Sequence, residues 1–137
     1  MEIFTLSACE TTAAQFFGAL LDRKAELLLD VRLKNESQLC GFTKKCDLAY
    51  LTPQLTGARH VHDPDFAPAP ELLGAYIKHE LDWHGYCEGY KKLAAERGLA
   101  EKFRQKYGQY NCVCILGSAT KKRRSHNETL RELLTAE

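Results

Sequence analysis

The chain has 137 residues, of which 45% are hydrophobic and 27% are charged, and this composition excludes a disordered protein. Its net charge of +1 excludes a strongly basic or acidic surface overall, so any contact with nucleic acid must rest on a local patch. No apolar run is long enough to span a bilayer, and residues 1–4 lack the basic start of a signal peptide. We therefore expect one cytoplasmic domain over residues 1–137, with no membrane partner.

The first elements in chain order predict a β-α-β unit. Residues 2–6 are apolar and β-prone, and Thr11 and Thr12 can cap a helix whose apolar side chains recur at helical spacing. Residues 27–31 then form a continuous apolar run that ends in charge. Such a run is typical of a central parallel strand that is covered on both faces. The connection between the two strands is expected to be right-handed.

The middle of the chain predicts a polar loop at residues 33–41, a helix at residues 44–55 and a short strand at residues 58–62. The inward-facing residues of that helix are expected to be Leu48, Leu51 and Leu55. Three prolines make residues 63–70 a loop without a helix, and Pro70 suits the first turn of the helix that follows.

The second half of the chain predicts mostly helices. The helix after Pro70 is expected to bury Leu72, Leu73, Tyr76 and Ile77. The next helix ends at Gly98 and is expected to bury Trp83, Tyr86, Cys87, Tyr90, Leu93 and Ala94. Residues 99–107 predict a short helix, residues 111–116 a last strand, and residues 130–134 the buried side of a C-terminal helix. These elements predict an α/β fold, a three-layer sandwich with a mainly parallel, doubly wound sheet of about four to five strands.

The carboxyl ends of the predicted strands are where parallel α/β sheets bind ligands. Arg32 lies just beyond a buried strand, where a guanidinium is costly unless it meets an anion or a carboxylate. Two interpretations are open. Arg32 binds an anionic ligand, or it forms a structural salt bridge with Asp30 or Asp63.

A second candidate site follows the last predicted strand, where residues 117–120 form a turn of small residues before a helix. Such a turn lets backbone N–H groups approach a phosphate, although small residues are also common in ordinary turns. Residues 121–124 read Lys-Lys-Arg-Arg and lie close to a helix start, whose dipole disfavours cations unless an anion offsets them. The alternatives are a solvated basic segment and a weak nucleic-acid contact.

Histidine and cysteine residues give weaker signals. His60 and His62 share one face of a strand and could begin a metal site with Asp63 or Asp65, but packing or hydrogen bonding is the preferred interpretation. The six cysteines are expected to be free thiols, and the two in the last strand to be buried. We predict no metal site, and the sequence identifies no cofactor.

A distinctive block of residues runs from position 30 to position 44. It contains Asp30, Val31, Arg32, Leu33, Asn35, Ser37, Gln38, Leu39, Cys40, Gly41, Phe42, Thr43 and Lys44. Further shared positions are Phe16, Phe17, Leu20, Leu21, Asp47, Leu48, the segment 62–68, Glu71, Leu72, Leu73, Tyr76, Trp83, Tyr86, Tyr90 and Arg97. Together they resemble the family called domain of unknown function 488. The resemblance covers most of the chain and implies an α/β sandwich with a largely parallel sheet, but no established activity.

The resemblance also implies a polar site that this chain keeps in part. In similar proteins the Asp-Val-Arg segment is joined by a C-terminal strand followed by cysteine, glutamate and a Cys-His-Arg motif. His126 matches the histidine of that motif. Gly117, Ala119, Ser125 and Asn127 replace the first cysteine, the acid, the second cysteine and the arginine, and residues 7–9 (Ser-Ala-Cys) replace Gly-His-Ser. It is open whether an ancestral activity has been lost.

We predict that the protein binds a small anionic, phosphate-bearing ligand at the carboxyl ends of the strands. The predicted ligand-binding residues are Arg32, Asn35, Ser37, Gln38, Lys44 and Ser118, and His126 is the predicted acid or base. The alternatives are a nucleic-acid-binding accessory protein that uses residues 121–124, and a non-catalytic protein-interaction module. Whether the protein is an enzyme, and its oligomeric state, are open.

Overall fold

The structure is a computed structural model that describes residues 1–36 and 38–136, with the backbone alone at residues 38 and 39. Its sheet consists of β1 (Glu2–Ser7), β2 (Leu27–Asp30), β3 (Arg59–His62) and β4 (Cys112–Gly117). The order across the sheet is β1-β4-β2-β3, and each neighbouring pair is parallel. The α/β fold class and the parallel sheet are therefore confirmed.

Helices make up most of the remaining chain. They are α1 (Ala13–Asp22), α2 (Lys45–Thr56), α3 (Pro70–Ile77), α4 (Trp83–Arg97), α5 (Leu99–Tyr107) and α6 (His126–Thr135), with 3₁₀ turns at Gln38–Thr43 and Pro64–Phe66. Thr12 caps α1 through a reciprocal pair of hydrogen bonds with Gln15. Gly98 adopts a left-handed conformation (φ 63°) that ends α4, which a residue with a Cβ would adopt only with strain.

Helices cover the sheet on both faces, so the three-layer arrangement is also confirmed. Along β2, Leu27 and Leu29 point to the face covered by α4, α5 and α6, while Leu28 points to the face covered by α1 and α2. All three leucines are fully buried, which explains why β2 reads as a continuous apolar run.

The strand order determines which loops meet at the carboxyl edge of the sheet. β4 is inserted between β1 and β2, and Asp30 at the end of β2 lies opposite Leu116 of β4. The loop after β2 and the loop after β4 therefore leave the sheet side by side. The chain winds towards β3 and then returns to the middle of the sheet, and such a reversal is where doubly wound proteins form a crevice.

Two burial predictions and one loop prediction were wrong, for identifiable reasons. Leu55 is 51% exposed because α2 packs over the edge strand β3, which covers only a narrow stripe that includes Leu48 and Thr52. No residue of α3 is fully buried, and Ile77 is 43% exposed, because α3 packs mainly on α4 rather than on the sheet. The loop predicted to lack helix contains the 3₁₀ turn Pro64–Phe66, whose phenylalanine enters the core.

Two further expectations concern the thiols and the membrane. All six cysteine side chains are free thiols, as predicted, and the two in β4 are buried, which raises the pKa of both. Across residues 1–36 and 38–136, no helix has the length and apolar character that a membrane span requires. The cytoplasmic location stays a prediction.

Candidate functional site

The guanidinium of Arg32 is bonded to groups of the protein itself. Its Nε and Nη2 donate to the two carboxylate oxygens of Asp30 at 2.9 and 2.7 Å, and Nη2 also donates to the backbone oxygen of Thr43 at 2.5 Å. Both partners of the ion pair are buried, with Arg32 at 4% and Asp30 at 0% exposure. Of the two interpretations of Arg32, the structure shows the ion pair, and its carboxylate is Asp30 rather than Asp63. Contact of Arg32 with a ligand stays a prediction.

Asp30 is the centre of this buried network. Burial by itself would raise the pKa of its carboxyl, but the hydrogen bonds and the charge of Arg32 outweigh that effect and hold the pKa below its usual value. Asn35 contributes through its side-chain amide, which donates to Asp30 Oδ2 at 2.9 Å. His62 Nε2 donates to the backbone oxygen of Arg32 at 2.8 Å, which fixes the start of the loop after β2. These contacts make the end of β2 a rigid support.

A cavity of about 400 Å³ opens beside this network, at the carboxyl edge of the sheet. Its walls come from the loop after β2, from α3 and the residues before it, from α4, from the loop after β4 and from the first residue of α6. The lining residues are Arg32, Leu33, Lys34, Pro68, Pro70, Leu73, Gly74, Tyr76, Ile77, Tyr86, Ser118, Arg123, Arg124, Ser125 and His126. Arg32, Ser118 and His126, which were predicted as site residues from distant parts of the sequence, thus border one cavity.

The charges that line the cavity are all positive among the residues the structure describes. Two of the four basic side chains have protein partners: Arg32 pairs with Asp30, and Arg124 pairs with Glu128 at 3.3 Å and lies 4.4 Å from the centre of the Trp83 ring. Lys34 and Arg123 form no salt bridge within the described part of the chain. A cavity with cations and no carboxylate on its walls has a positive potential that favours an anion.

His126 lines the cavity and is only 4% exposed. Its Nε2 is 2.8 Å from the backbone oxygen of Val31. Burial lowers the pKa of the imidazole to about 4, although the bond to Val31 and the charge of Asp30 oppose that change. His126 is therefore neutral at pH 7, where an imidazolium acid would be almost unpopulated. The role of acid or base predicted for it stays a prediction.

Two stacked tyrosines form part of the cavity wall. The rings of Tyr76 and Tyr86 are 4.2 Å apart and nearly parallel, with an angle of 7° between them. The hydroxyl of Tyr76 donates to the backbone oxygen of Arg124 at 3.1 Å. Burial raises the pKa of both tyrosines, and the positive charge of Arg123 opposes that rise. Tyr76 and Tyr86 were predicted as core residues, and periodicity gave no sign that they border a cavity.

The loop after β4 approaches α6 closely. Ser125 precedes α6, but its hydroxyl accepts a hydrogen bond from the Ser118 N–H at 3.2 Å, and no side chain caps the helix. A Cβ at Gly117 would lie 2.4 Å from Asn127 Cγ and 2.6 Å from Ser125 Oγ. Asn127 donates to the backbone oxygens of Leu6 and Ile115. The asparagine thus occupies the space that a larger residue at position 117 would need.

The other predicted ligand residues lie elsewhere. Asn35 borders a neighbouring hollow on the other side of Lys34, together with His62. Lys44 precedes α2, pairs with Asp47 at 3.7 Å and does not line the cavity. Ser37 lies outside the described residues, as does the side chain of Gln38. Contact of these four residues with a ligand stays a prediction.

Lys34 was missed, although it follows β2 by four positions and its neighbour Arg32 was identified. Arg123 and Arg124 were recognised only as members of a basic run. The sequence feature that could have identified them as cavity residues was their position just before a helix that begins with His126. Of the two histidines in β3, His62 is hydrogen-bonded to the backbone oxygen of Arg32. Within the part of the chain that the structure describes, no group of three or more metal-ligating side chains occurs.

Comparison with known proteins gives one match. The family model described as "Domain of unknown function DUF488" matches residues 12–134, which is nearly the whole chain and includes each element that borders the cavity. No curated protein and no solved structure matches the chain.

Proposed function

The chain belongs to the DUF488 family, and we propose that it binds a small organic anion in the cavity at the carboxyl edge of its sheet. Phosphate esters are the ligand class that fits best. The observation that carries the proposal is the convergence of Arg32, Ser118 and His126 on one cavity whose other charged side chains are also basic.

The size and walls of the cavity favour an organic molecule over a bare inorganic ion. About 400 Å³ is within the range of small-molecule sites and exceeds what a single phosphate occupies. Its lining combines apolar side chains, among them Leu33, Leu73 and Ile77, with serines and basic side chains. Such a mixed lining suits a ligand with a charged end and an uncharged body.

Each basic side chain has a different part in this proposal. Lys34 and Arg123 hold the anionic group, because neither forms a salt bridge within the described part of the chain. Arg32 is a positioning residue, because its bonds to Asp30 and Thr43 fix the loop that carries Lys34. Ser118 and Ser125 lie beside the uncapped start of α6, whose dipole adds a favourable potential for an anion.

The same geometry bears on the two alternatives. Arg124 forms a salt bridge with Glu128, and Arg123 lines the cavity. The basic side chains of residues 121–124 therefore do not act together as one surface. Lys121 and Lys122 are exposed. Two lysines alone favour a solvated loop over a continuous surface that binds nucleic acid. A protein-interaction module without chemistry gives no reason for cations to gather around a cavity.

Calorimetric titration of the wild type with phenyl phosphate, ribose 5-phosphate and inorganic phosphate tests the proposal. At least one of the organic phosphates is expected to bind more tightly than inorganic phosphate. Arg123→Gln is expected to weaken that binding about tenfold, because one charge-assisted contact is lost. Lys122→Gln is the matched control, since it removes the same charge from the same loop at an exposed position that does not line the cavity.

Two results contradict the proposal. The first is that none of the three phosphates binds the wild type. The second is that Lys122→Gln weakens binding as much as Arg123→Gln, which would indicate attraction to a basic surface rather than a site.

A further inference from the structure

We infer that the ligand carries a hydroxyl group close to its anionic end, and that this hydroxyl donates a hydrogen bond to Nδ1 of His126. The inference rests on the proposed function and narrows its ligand class to hydroxylated organic phosphates such as sugar or polyol phosphates.

The first step of the argument is the tautomer of His126. Nε2 lies 2.8 Å from the backbone oxygen of Val31, and a carbonyl oxygen can only accept a hydrogen bond. Nε2 therefore carries the proton of the neutral ring. Nδ1 then has no proton and presents a lone pair, so it can act only as an acceptor.

The second step is that Nδ1 is without a partner but is not sealed in the core. No residue of the described chain bonds to it. The buried side-chain polar atoms that lack any partner in the described part are Thr52 Oγ1, His60 Nε2 and Asn127 Oδ1, and Nδ1 is not among them. His126 is 96% buried, and the space that it borders is the cavity. Nδ1 is therefore reached from the cavity.

The third step is what such an atom selects. An ionised phosphate oxygen has no proton to donate, and its charge is repelled by the lone pair of Nδ1. A ligand that places only oxygen anions or methylene groups there would leave the Nδ1 acceptor without a hydrogen bond. An unpaired acceptor in a buried site costs binding free energy, so the site discriminates against such a ligand. A hydroxyl satisfies it.

The hydroxyl of Tyr86 supports the same conclusion from the neighbouring wall. Tyr86 is 1% exposed, borders the cavity, and its hydroxyl has no hydrogen-bond partner among the described residues. A phenol can both donate and accept, so it can complete the hydrogen bonding of a ligand hydroxyl. Arg123, which we propose holds the anion, lines the same cavity as Tyr86, so the charged and the hydroxyl-binding parts belong to one site.

A pair of probes with equal charge and equal carbon number tests the inference: ribose 5-phosphate and n-pentyl phosphate, titrated separately by calorimetry into the full-length protein. The wild type is expected to bind ribose 5-phosphate at least tenfold more tightly. His126→Leu is of similar size and has no hydrogen-bond acceptor at the Nδ1 position. It is expected to reduce the ratio of the two affinities to about one, because the hydroxyl of ribose 5-phosphate loses its acceptor.

His84→Gln is the control variant, since His84 is exposed and does not line the cavity, and it is expected to keep the wild-type ratio. Equal affinity of the wild type for the two probes overturns the inference and leaves the proposed function standing. A wild-type preference that His126→Leu retains also overturns it. If neither probe binds, and phenyl and inorganic phosphate do not bind either, the proposed function fails and the inference fails with it. Should His126→Leu not fold, the wild-type ratio and Tyr86→Phe, which is expected to lower that ratio, decide the question.

Discussion

The ends of β2 and β4 lie side by side in the sheet but use their polar residues in opposite ways. At the end of β2, Asp30, Arg32 and Asn35 bond to one another and are buried. At the end of β4, the basic side chains of residues 121–124 are exposed, and Ser125 bonds the loop rather than capping α6. The difference teaches that the polar residues most distinctive in the sequence serve the fold, while the less distinctive loop after β4 leaves its basic side chains exposed. Arg123 of that loop is for this reason one of the two residues that we propose for ligand contact.

The largest expected effect comes from breaking the network at the end of β2. Arg32→Met is expected to lower the free energy of unfolding by about 3–5 kcal/mol, because it leaves the buried Asp30 carboxylate without its counter-charge. Urea unfolding measures the loss. Arg104→Met is the matched control, since its pair with Glu101 is exposed on both sides and is worth less than about 1 kcal/mol. A fully stable Arg32→Met that has lost only ligand binding would reverse the comparison between the two strand ends.

The next effect is a dependence of stability on pH through His126. Its pKa is about 4 in the folded chain and about 6.5 when unfolded, so the unfolded state binds more protons between these values. Stability is therefore complete above pH 6.5 and falls as the pH drops towards 4, by about 3 kcal/mol for this group. His60, whose burial also lowers its pKa, acts in the same direction, and the lowered pKa of Asp30 adds a loss at more acid pH.

Urea unfolding at several pH values between 4 and 8 measures this dependence. His126→Gln is expected to flatten it, and His84→Gln, at an exposed position, is expected to leave it unchanged. A slope that is the same in wild type and His126→Gln would show that His126 is not held neutral by burial.

A smaller effect is expected where β4 meets α6. Gly117→Ala is expected to destabilise the protein by about 1–3 kcal/mol, because the new methyl group collides with Asn127 and Ser125. In the double variant with Asn127→Ala, the two effects are expected to be less than additive, since the smaller side chain leaves room for the methyl group. Strictly additive losses in urea unfolding would contradict this account of the close approach.

The smallest effect is expected on the exposed loop itself. Arg124→Gln removes the pair with Glu128 and the contact with the Trp83 ring, both at the surface, and is expected to cost less than about 1 kcal/mol. Thermal unfolding measures it. A loss as large as that of Arg32→Met would mean that the two strand ends are equally structural.

The sequence by itself determined the elements and part of the site. The uninterrupted apolar run of β2, the glycine that ends α4 and the bounds of α5 were predicted, because helix periodicity, caps and strand burial are encoded by neighbouring residues. Arg32, Ser118 and His126 were identified because each stands next to a predicted strand or helix end, or matches a motif of the family that the chain resembles.

Only the tertiary structure decided how these parts combine. The insertion of β4 between β1 and β2 brings His126 against Val31 and next to Arg32, although they are far apart along the chain. It also decided that Arg32 pairs with Asp30, that Lys34 and Arg123 share a cavity, and that Tyr86 borders it instead of lying wholly in the core. Strand order and the lining of a cavity depend on contacts between distant segments, and no local pattern encodes them.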